Sequence, residues 1–346
     1  PSIADPTAHF NTTIWTGDDA DPRTISGLNF QPDAIWVKAR SGTYGTQDHC
    51  LNDAVRGAGE ILRPNQGLAE ATDTNNIESF TSDGWTMGDD GKTNKGSTYY
   101  VAWSWKGDGA SGGTLNQDGT VDSQVNVNTT AGFSIVTYTG TGSDDGSDNV
   151  GHGLAQTPEF YVIKNRSGTD GWNLYTAPTG TGNYMTLNNT IASASASNGF
   201  QYNNAPTASV FTLGTWDAVN KLDEEYVAYA FHSVEGYSKV GSYDGNGDSS
   251  DGTFVYCGFS PAWVMFKNVD EAYAWVMYDN KRDTYNVKGD SLYADDNAAE
   301  TDDTQNLDFV SNGFKFRDNS YQNNYASNTY VYLAFAESPF KTANAR

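Results

Sequence analysis

The run Pro158-Glu159-Phe160-Tyr161-Val162-Ile163-Lys164, announced by Gly153-Leu154, decides the reading because it occurs three times. It returns as Gly27-Leu28 followed by Pro32-Asp33-Ala34-Ile35-Trp36-Val37-Lys38, and as Gly258-Phe259 followed by Pro261-Ala262-Trp263-Val264-Met265-Phe266-Lys267. A second anchor, Tyr226-Val227-Ala228-Tyr229-Ala230-Phe231, is matched by Tyr100-Val101-Ala102-Trp103-Ser104-Trp105 and Tyr330-Val331-Tyr332-Leu333-Ala334-Phe335. The spacing from Pro to this Tyr is 68, 68 and 69 residues. An aromatic, Trp85, Phe211 or Phe314, follows each Pro by 53 residues. Before each Pro an aromatic runs into a glycine turn: Trp15-Thr16-Gly17, Tyr138-Thr139-Gly140 and Tyr243-Asp244-Gly245. That is a hairpin signal, and a fixed period is the mark of an internal repeat.

Each repeat spans about 105–110 residues, room for six to eight short strands around one core. Phe133, Ile135 and either Val136 or Tyr138 interleave with Ser134 and Thr137, and 226–231 is nearly all apolar, as a central strand covered on both faces should be. The expected fold is all-β: three tandem β-sandwich, jelly-roll-like repeats. Their expected bounds are 1–107, 131–236 and 237–346, with 108–130 a Gly/Ser/Asn-rich linker able to add an edge strand through Val121 to Val127. Gly107 to Gly113 reads as flexible, so the first repeat is expected to swing. The second and third meet at Val234-Glu235-Gly236-Tyr237 and should dock rigidly. Helical turns are expected at Leu68-Ala69-Glu70-Ala71 and Asn297-Ala298-Ala299-Glu300, and nowhere longer.

Composition sets the outer limits. Among 346 residues, 20 Lys and Arg face 43 Asp and Glu, a net charge of −23. Nucleic acids and anionic membranes need basic surface, so neither is expected as a partner. Aromatics at 13 % exclude disorder. Cys50 and Cys257 form no CxxC and are read as free thiols. No apolar run approaches the ~20 residues of a membrane helix, and Pro1-Ser2-Ile3-Ala4-Asp5 lacks the features of a signal peptide. Pro1 fits a chain that has lost its initiator Met, and a complete protein is the expectation.

Several constellations carry candidate chemistry. Asp244, Asn246, Asp248 and Asp251 offer oxygens at alternating positions, as calcium loops do, but without the bidentate Glu at position twelve. A plain hairpin is the competing reading, and calcium is the one cofactor the pattern admits. Gly140, Gly142 and Gly146 lack the helix and Lys-Ser/Thr pair of a phosphate loop. Adjacent carboxylates such as Asp89-Asp90 and Glu224-Glu225 point to opposite faces of a strand and make poor glycosidase pairs. His9, His49, His152 and His232 have no metal spacing, and no GxSxG occurs, so no catalytic residue is expected. Asp53-x-x-Arg56 and Asp279-x-x-Arg282 are matched, read as structural ion pairs; the second repeat has Thr176 to Pro178 there. Trp172 and Trp275 share an offset of 14 from Pro, with Thr46 in the first repeat. They are core residues or, if exposed, stacking platforms for a glycan. From Gly171 to Thr215 no residue is charged. Outside the anchors the most apolar, charge-poor stretches are Gly180 to Pro206 and the tail Leu333 to Phe340, and an assembly contact is expected in the first, at Thr190 and Ser195.

The opening Ile3-Ala4-Asp5-Pro6 with His9-Phe10, the stretch Asp53 to Gly57, Gly132 to Gly140, Tyr278 to Asn286 and the ending Phe335 to Arg346 resemble an uncharacterised repeat family in virion proteins of tailed bacteriophages, of marine or cyanobacterial type. The resemblance covers nearly the whole chain. It implies a structural component on the virion surface: an appendage, a tail fibre or knob, or a capsid decoration. It implies other virion proteins and further copies of the chain as partners. It brings no catalytic residues. Fibres of this kind carry an attachment domain before the repeats, and none is seen here, which favours decoration or a distal knob. The alternative is a carbohydrate-binding adhesin for host surface glycans.

Overall fold

The computed structural model describes residues 2–339, without the side chains of 303–306. Phe340 and the ending from Lys341 to Arg346 lie outside the described residues. The chain is all-β: among the described residues the helices are one 3-10 turn, Pro6–Ala8, and one four-residue turn, Asp217–Asn220.

Three antiparallel sheets repeat one strand order. In the first, Phe10–Thr16 pairs with Thr98–Trp105, then come Ala34–Gly42, Cys50–Asp53 and Gly57–Leu62. The second places Phe133–Thr139, Glu225–Phe231, Phe160–Asn165, Asn173–Thr176 and Asn183–Thr186 in the same order. The third does so with Ser238–Asp244, Thr329–Pro339, Phe259–Asn268, Val276–Asp279 and Lys288–Tyr293. Register fixes the equivalences: Ala34 opposes Trp105, Phe160 opposes Phe231, and Trp263 opposes Phe335. Smaller strands cover one face of the first two sheets, Arg23–Ser26 with Gly84–Met87 and Ile77–Thr81, and Asn149–Gly151 with Val210–Thr212. In the third, Thr301–Val310 is long enough to pair first with Lys288–Tyr293 and then with Gly313–Phe316, so the sheet curls over itself.

The sequence anchors explain each layer. The Tyr of the second anchor stacks on the aromatic that ends the first strand: Trp15 on Tyr100, Tyr138 on Tyr226 and Tyr243 on Tyr330, with centroids 4.9–5.4 Å apart. Its hydroxyl ties down the loop before it. Tyr100 accepts from Lys95 N and donates to Gly91 O; Tyr226 does the same with Lys221 and Asp217, and Tyr330 with Tyr325 and Tyr321. The offsets of five and nine residues are identical in all three. Trp85, Phe211 and Phe314 are fully buried beneath, each in the core of its own unit.

Alternation then assigns the opposite faces. Ile35, Val37 and Ala39 enter the core of the first unit, whereas Ala34 and Trp36 enter a different one. That fourth core takes Phe160, Val162, Val227 and Tyr229 from the second sheet and Trp263, Met265, Leu333 and Phe335 from the third. The three sheets pack their remaining faces on one another. At its centre the equivalent rings Trp105, Phe231 and Phe335 form a triangle with sides of 6.2, 5.8 and 5.8 Å. The chain is thus arranged about an internal threefold axis, with a cavity of about 40 Å³ beside it, lined by apolar side chains from all three sheets.

Two expectations are corrected. The first unit cannot swing: Gly107 N donates to Asp33 Oδ2 at 2.7 Å, Asp108 N to Asn126 Oδ1 at 2.9 Å, and Gly112 N to Ala54 O at 2.9 Å. Thr114–Asn116 and Ser123–Asn128 then extend the edge of the second sheet. The segments at Leu68–Ala71 and Asn297–Glu300 are not helical, because each reaches across to a neighbouring sheet, as described next.

Candidate functional site

Of the residues that sequence reading singled out, the matched Asp-x-x-Arg pairs and Trp172 and Trp275 lie at the seams between sheets. Each seam uses the same positions, so the units contact head to tail, as in a closed heterologous ring. At the first-to-second seam, Glu70 N donates to Arg166 O at 2.8 Å. The Glu70 carboxylate is shared by Arg166 and Arg56, both at 2.7 Å. At the third-to-first seam, Glu300 N donates to Arg40 O at 2.7 Å, and Glu300 holds Arg40 at 2.6 Å and Arg282 at 3.5 Å. At the second-to-third seam, Ser193 N donates to Val269 O at 2.9 Å. Here the Glu–Arg latch has become Ser–Val.

The matched Asp-x-x-Arg pairs belong to these latches. Asp53–Arg56 and Asp279–Arg282 are fully buried ion pairs of 2.5 and 2.6 Å. Each reaches a neighbouring sheet: Tyr229 donates its hydroxyl to Asp53 Oδ2 at 2.6 Å, and Trp103 Nε1 donates to Asp279 Oδ2 at 3.2 Å. Burial alone would raise the Asp279 carboxyl, but Arg282 holds it below the ordinary carboxylate range. In the second unit the pair is Thr176–Thr179, joined at 3.0 Å, and the position equivalent to Tyr229 and Trp103 carries Leu333. Charge and polar aromatic occur together, and so do neutral pair and Leu. That is what a desolvated seam requires, since a buried charge without its hydrogen bonds is costly.

Three equivalent lysines close the anchors. Lys38, Lys164 and Lys267 are fully buried on the central face, two residues beyond Trp36, Val162 and Met265. Each ammonium donates to backbone carbonyls, Ala39 and Gly45, Asn165 and Gly168, and Asn268 and Glu271. Burial pulls them down to about 7, 8 and 8. Lys38 also crosses a seam to Asn297 O at 3.1 Å.

Trp172 and Trp275 are buried, at 0 and 1 % exposure, so neither can receive a sugar ring. Both are seam residues: Trp172 Nε1 donates to Arg63 O and Gln66 O at 3.0 Å, and Trp275 Nε1 to Thr186 O at 2.9 Å. Their equivalent in the first unit is His49, not Thr46, because the loop before it is three residues longer; Leu51, Leu174 and Met277 pair with Trp36, Val162 and Met265. His49 Nε2 meets Asp296 O at 3.0 Å, and burial keeps the ring well below its usual pKa.

The oxygens of Asp244, Asn246, Asp248 and Asp251 are engaged by the hairpin's own backbone and by the neighbouring residues Lys315, Asn324 and Thr329. Asp248 Oδ1 accepts from Ser250 N and Asp251 N, Asn246 Nδ2 donates to Asp251 O, Asp244 accepts from Thr329, and Lys315 pairs with Asp251. Among the described residues no group of three or more His, Cys, Asp and Glu side chains is placed to hold a metal. Cys50 and Cys257 are free and buried, their thiols pushed up to about 12 by burial.

Thr190 and Ser195 are exposed, Ser195 on a two-residue strand against Asn183. Part of the charge-free stretch around them has a partner within the chain, since Thr186 and Ser193 face the third sheet at the neutral seam.

One family model spans this arrangement, matching residues 5–339; it is described as a domain of unknown function, DUF7483. The chain belongs to that family. No curated protein matches it. The DUF7483 match takes in all three sheets and all three seams, so the family unit is the whole ring.

Sequence reading missed the bridging acids Glu70 and Glu300, their partners Arg40 and Arg166, and the burial of the three lysines. The lysines left a signal, for they sit on the same strand face as Trp36, Val162 and Met265. The acids left a fainter one, the echoed segments Leu68–Ala71 and Asn297–Glu300, misread as helical turns because their course depends on the neighbouring sheet.

Proposed function

We propose that the chain is a non-catalytic structural component of a bacteriophage virion surface, an appendage, fibre knob or capsid decoration. In this reading each repeat is one β-sandwich, and the three are joined into a single rigid body. The observation that carries it is the shared core: three tandem repeats bury their second faces on one axis and leave a strongly acidic exterior. A body of this kind suits a particle surface, where a charged exterior limits unwanted edge-to-edge association among many copies. The sequence resemblance supports the same reading. Thr190 and Ser195 would then face another copy or another virion protein. The test is mass spectrometry of purified particles with immunogold labelling; capsid labelling supports decoration, and tail-tip labelling supports a knob.

An adhesin for host glycans is the second reading, favoured by one observation. Tyr321 is exposed and stacks on Tyr273 and Tyr325 at 5.8 and 3.5 Å, beside Asp270, Asp318 and Asn319. Stacking aromatics beside Asn and Asp are what sugar rings meet in binding loops. Glycan-array binding that Tyr321→Ala removes would favour this reading over the first.

A further inference from the structure

One position recurs at all three seams, and only one seam fills it with a titratable group. Trp172 and Trp275 each send an indole N–H across to carbonyls of a neighbouring sheet; at the third-to-first seam the same place holds His49. The tautomer of His49 is fixed from both sides. Trp36 Nε1 donates to His49 Nδ1 at 2.8 Å, so Nδ1 is an acceptor. The ring proton therefore sits on Nε2, which donates to Asp296 O at 3.0 Å. A second proton, on Nδ1, would meet the Trp36 N–H head-on inside a fully buried site. Among the described residues no chain connection spans this seam, since the chain runs from the first unit to the second and from the second to the third. Residues 295–300 reach across it instead. His49 holds Asp296 O, Lys38 Nζ donates to Asn297 O at 3.1 Å, and Glu300 N donates to Arg40 O at 2.7 Å.

We propose that residues 295–300 form a pH-operated strap, docked on the first unit while His49 is neutral and released when His49 takes up a second proton. The groups around the ring give the sign. Burial is the largest effect and disfavours the imidazolium; the charge of Lys38, on the same strand as Trp36, acts with it. The carbonyls of Asp296 and Tyr293 favour the imidazolium and are outweighed, so the docked ring stays well below its ordinary value of 6.5. Asp48 spends its charge on Arg63 at 3.9 Å, and Glu300 on Arg40 at 2.6 Å. The Asp296 carboxylate accepts from Ala298 N within the strap. Lys38, at about 7, is already charged across the acid range. Asp295, raised to about 6 by burial, works the other way and favours the docked strap in acid. A released ring regains its ordinary value near 6.5, so each pH unit below that favours release by up to about tenfold. The bistable element is the strap, and the proton on His49 biases it. The inference does not depend on the virion reading.

The intact chain carries its own control. At the first-to-second seam Glu70 N donates to Arg166 O as Glu300 N donates to Arg40 O, and there Trp172 stands in the place of His49. Hydrogen–deuterium exchange, read by mass spectrometry on peptides carrying the two amides and corrected for intrinsic rates, compares the seams directly. Between pH 6.5 and 5 the Glu300 amide should gain about tenfold in opening relative to the Glu70 amide. His49→Trp, which copies the other seams and keeps Asp295, should remove that gain. A Glu300-to-Glu70 ratio that stays constant with pH overturns the proposal. A ratio that changes equally in wild type and His49→Trp overturns it as well, and assigns the response to the carboxylates. If the variant fails to fold, nitrogen-15 spectra of the wild-type ring decide. Ring protonation in step with exchange at Glu300 supports the strap; exchange at Glu300 while the ring stays neutral refutes it.

Discussion

Trp105→Ala separates a shared core from three independent ones. Trp105 is 4 % exposed and touches rings from every sheet: Phe10 in its own, Phe133 and Phe231 in the second, Trp263 and Phe335 in the third. Its indole nitrogen has no hydrogen-bond partner, so the substitution deletes packing alone. Removing a buried Trp costs about 3–5 kcal/mol. How far that moves a melting curve depends on the size of the unit that melts. Unfolding entropy is about 2.1 cal/mol/K per residue, so a cooperative unit of all 346 residues shifts by about 4–7 °C. A unit of one repeat, taken as about 110 residues, would shift by about 13–22 °C while the remainder stayed in place. Differential scanning calorimetry reads both. One endotherm displaced as a whole supports the shared core; a third of the enthalpy moving away from an unshifted remainder would refute it.

Three further outcomes follow from the seams and the buried lysines. Asp53→Thr should cost about 3–5 kcal/mol in urea unfolding by removing one of the two carboxylates that hold the buried Arg56 and leaving the Tyr229 hydroxyl without its acceptor, and adding Arg56→Thr and Tyr229→Leu, which copies the neutral pair, should recover most of it; no recovery would show that the seams are not modular. Lys38, Lys164 and Lys267 ionise near 10.5 when unfolded but at about 7, 8 and 8 when folded, so above pH 7 the unfolded chain holds more protons than the native one. Stability should therefore rise with pH from about 7 toward 10.5, the penalty being complete below 7, and Lys38→Met should flatten the rise of the urea midpoint; an unchanged slope would contradict the assignment. Thr190→Lys and Ser195→Glu should leave the melting temperature of the isolated chain unchanged and reduce its incorporation into particles; wild-type incorporation would place the contact elsewhere.

What the sequence revealed depended on how local the cause was. The Tyr anchors were legible because each hydroxyl bonds within nine residues of its own ring, and the all-β character because alternation needs only neighbours. The nearly continuous apolar run at 226–231 did announce a strand covered on both faces. It did not say what covers the second face, because one repeat by itself is satisfied by any apolar partner. That partner is another repeat, and the consequences follow: Trp172 and Trp275 belong to seams, the linker is pinned, and Leu68–Ala71 crosses to Arg166 instead of coiling. The Asp-x-x-Arg pairs were legible as ion pairs. Their dependence on Tyr229 and Trp103 was not, since those partners lie 176 residues away.

The proposed virion role is tested most directly by asking whether the chain is present on a phage particle, and where. Antibody-gold labelling of intact virions, with peptide mass spectrometry of the same gradient-purified fraction, should find the chain in stoichiometric amounts and the label on the outer surface. A purified, infectious particle fraction that contains no peptide of the chain would contradict the account.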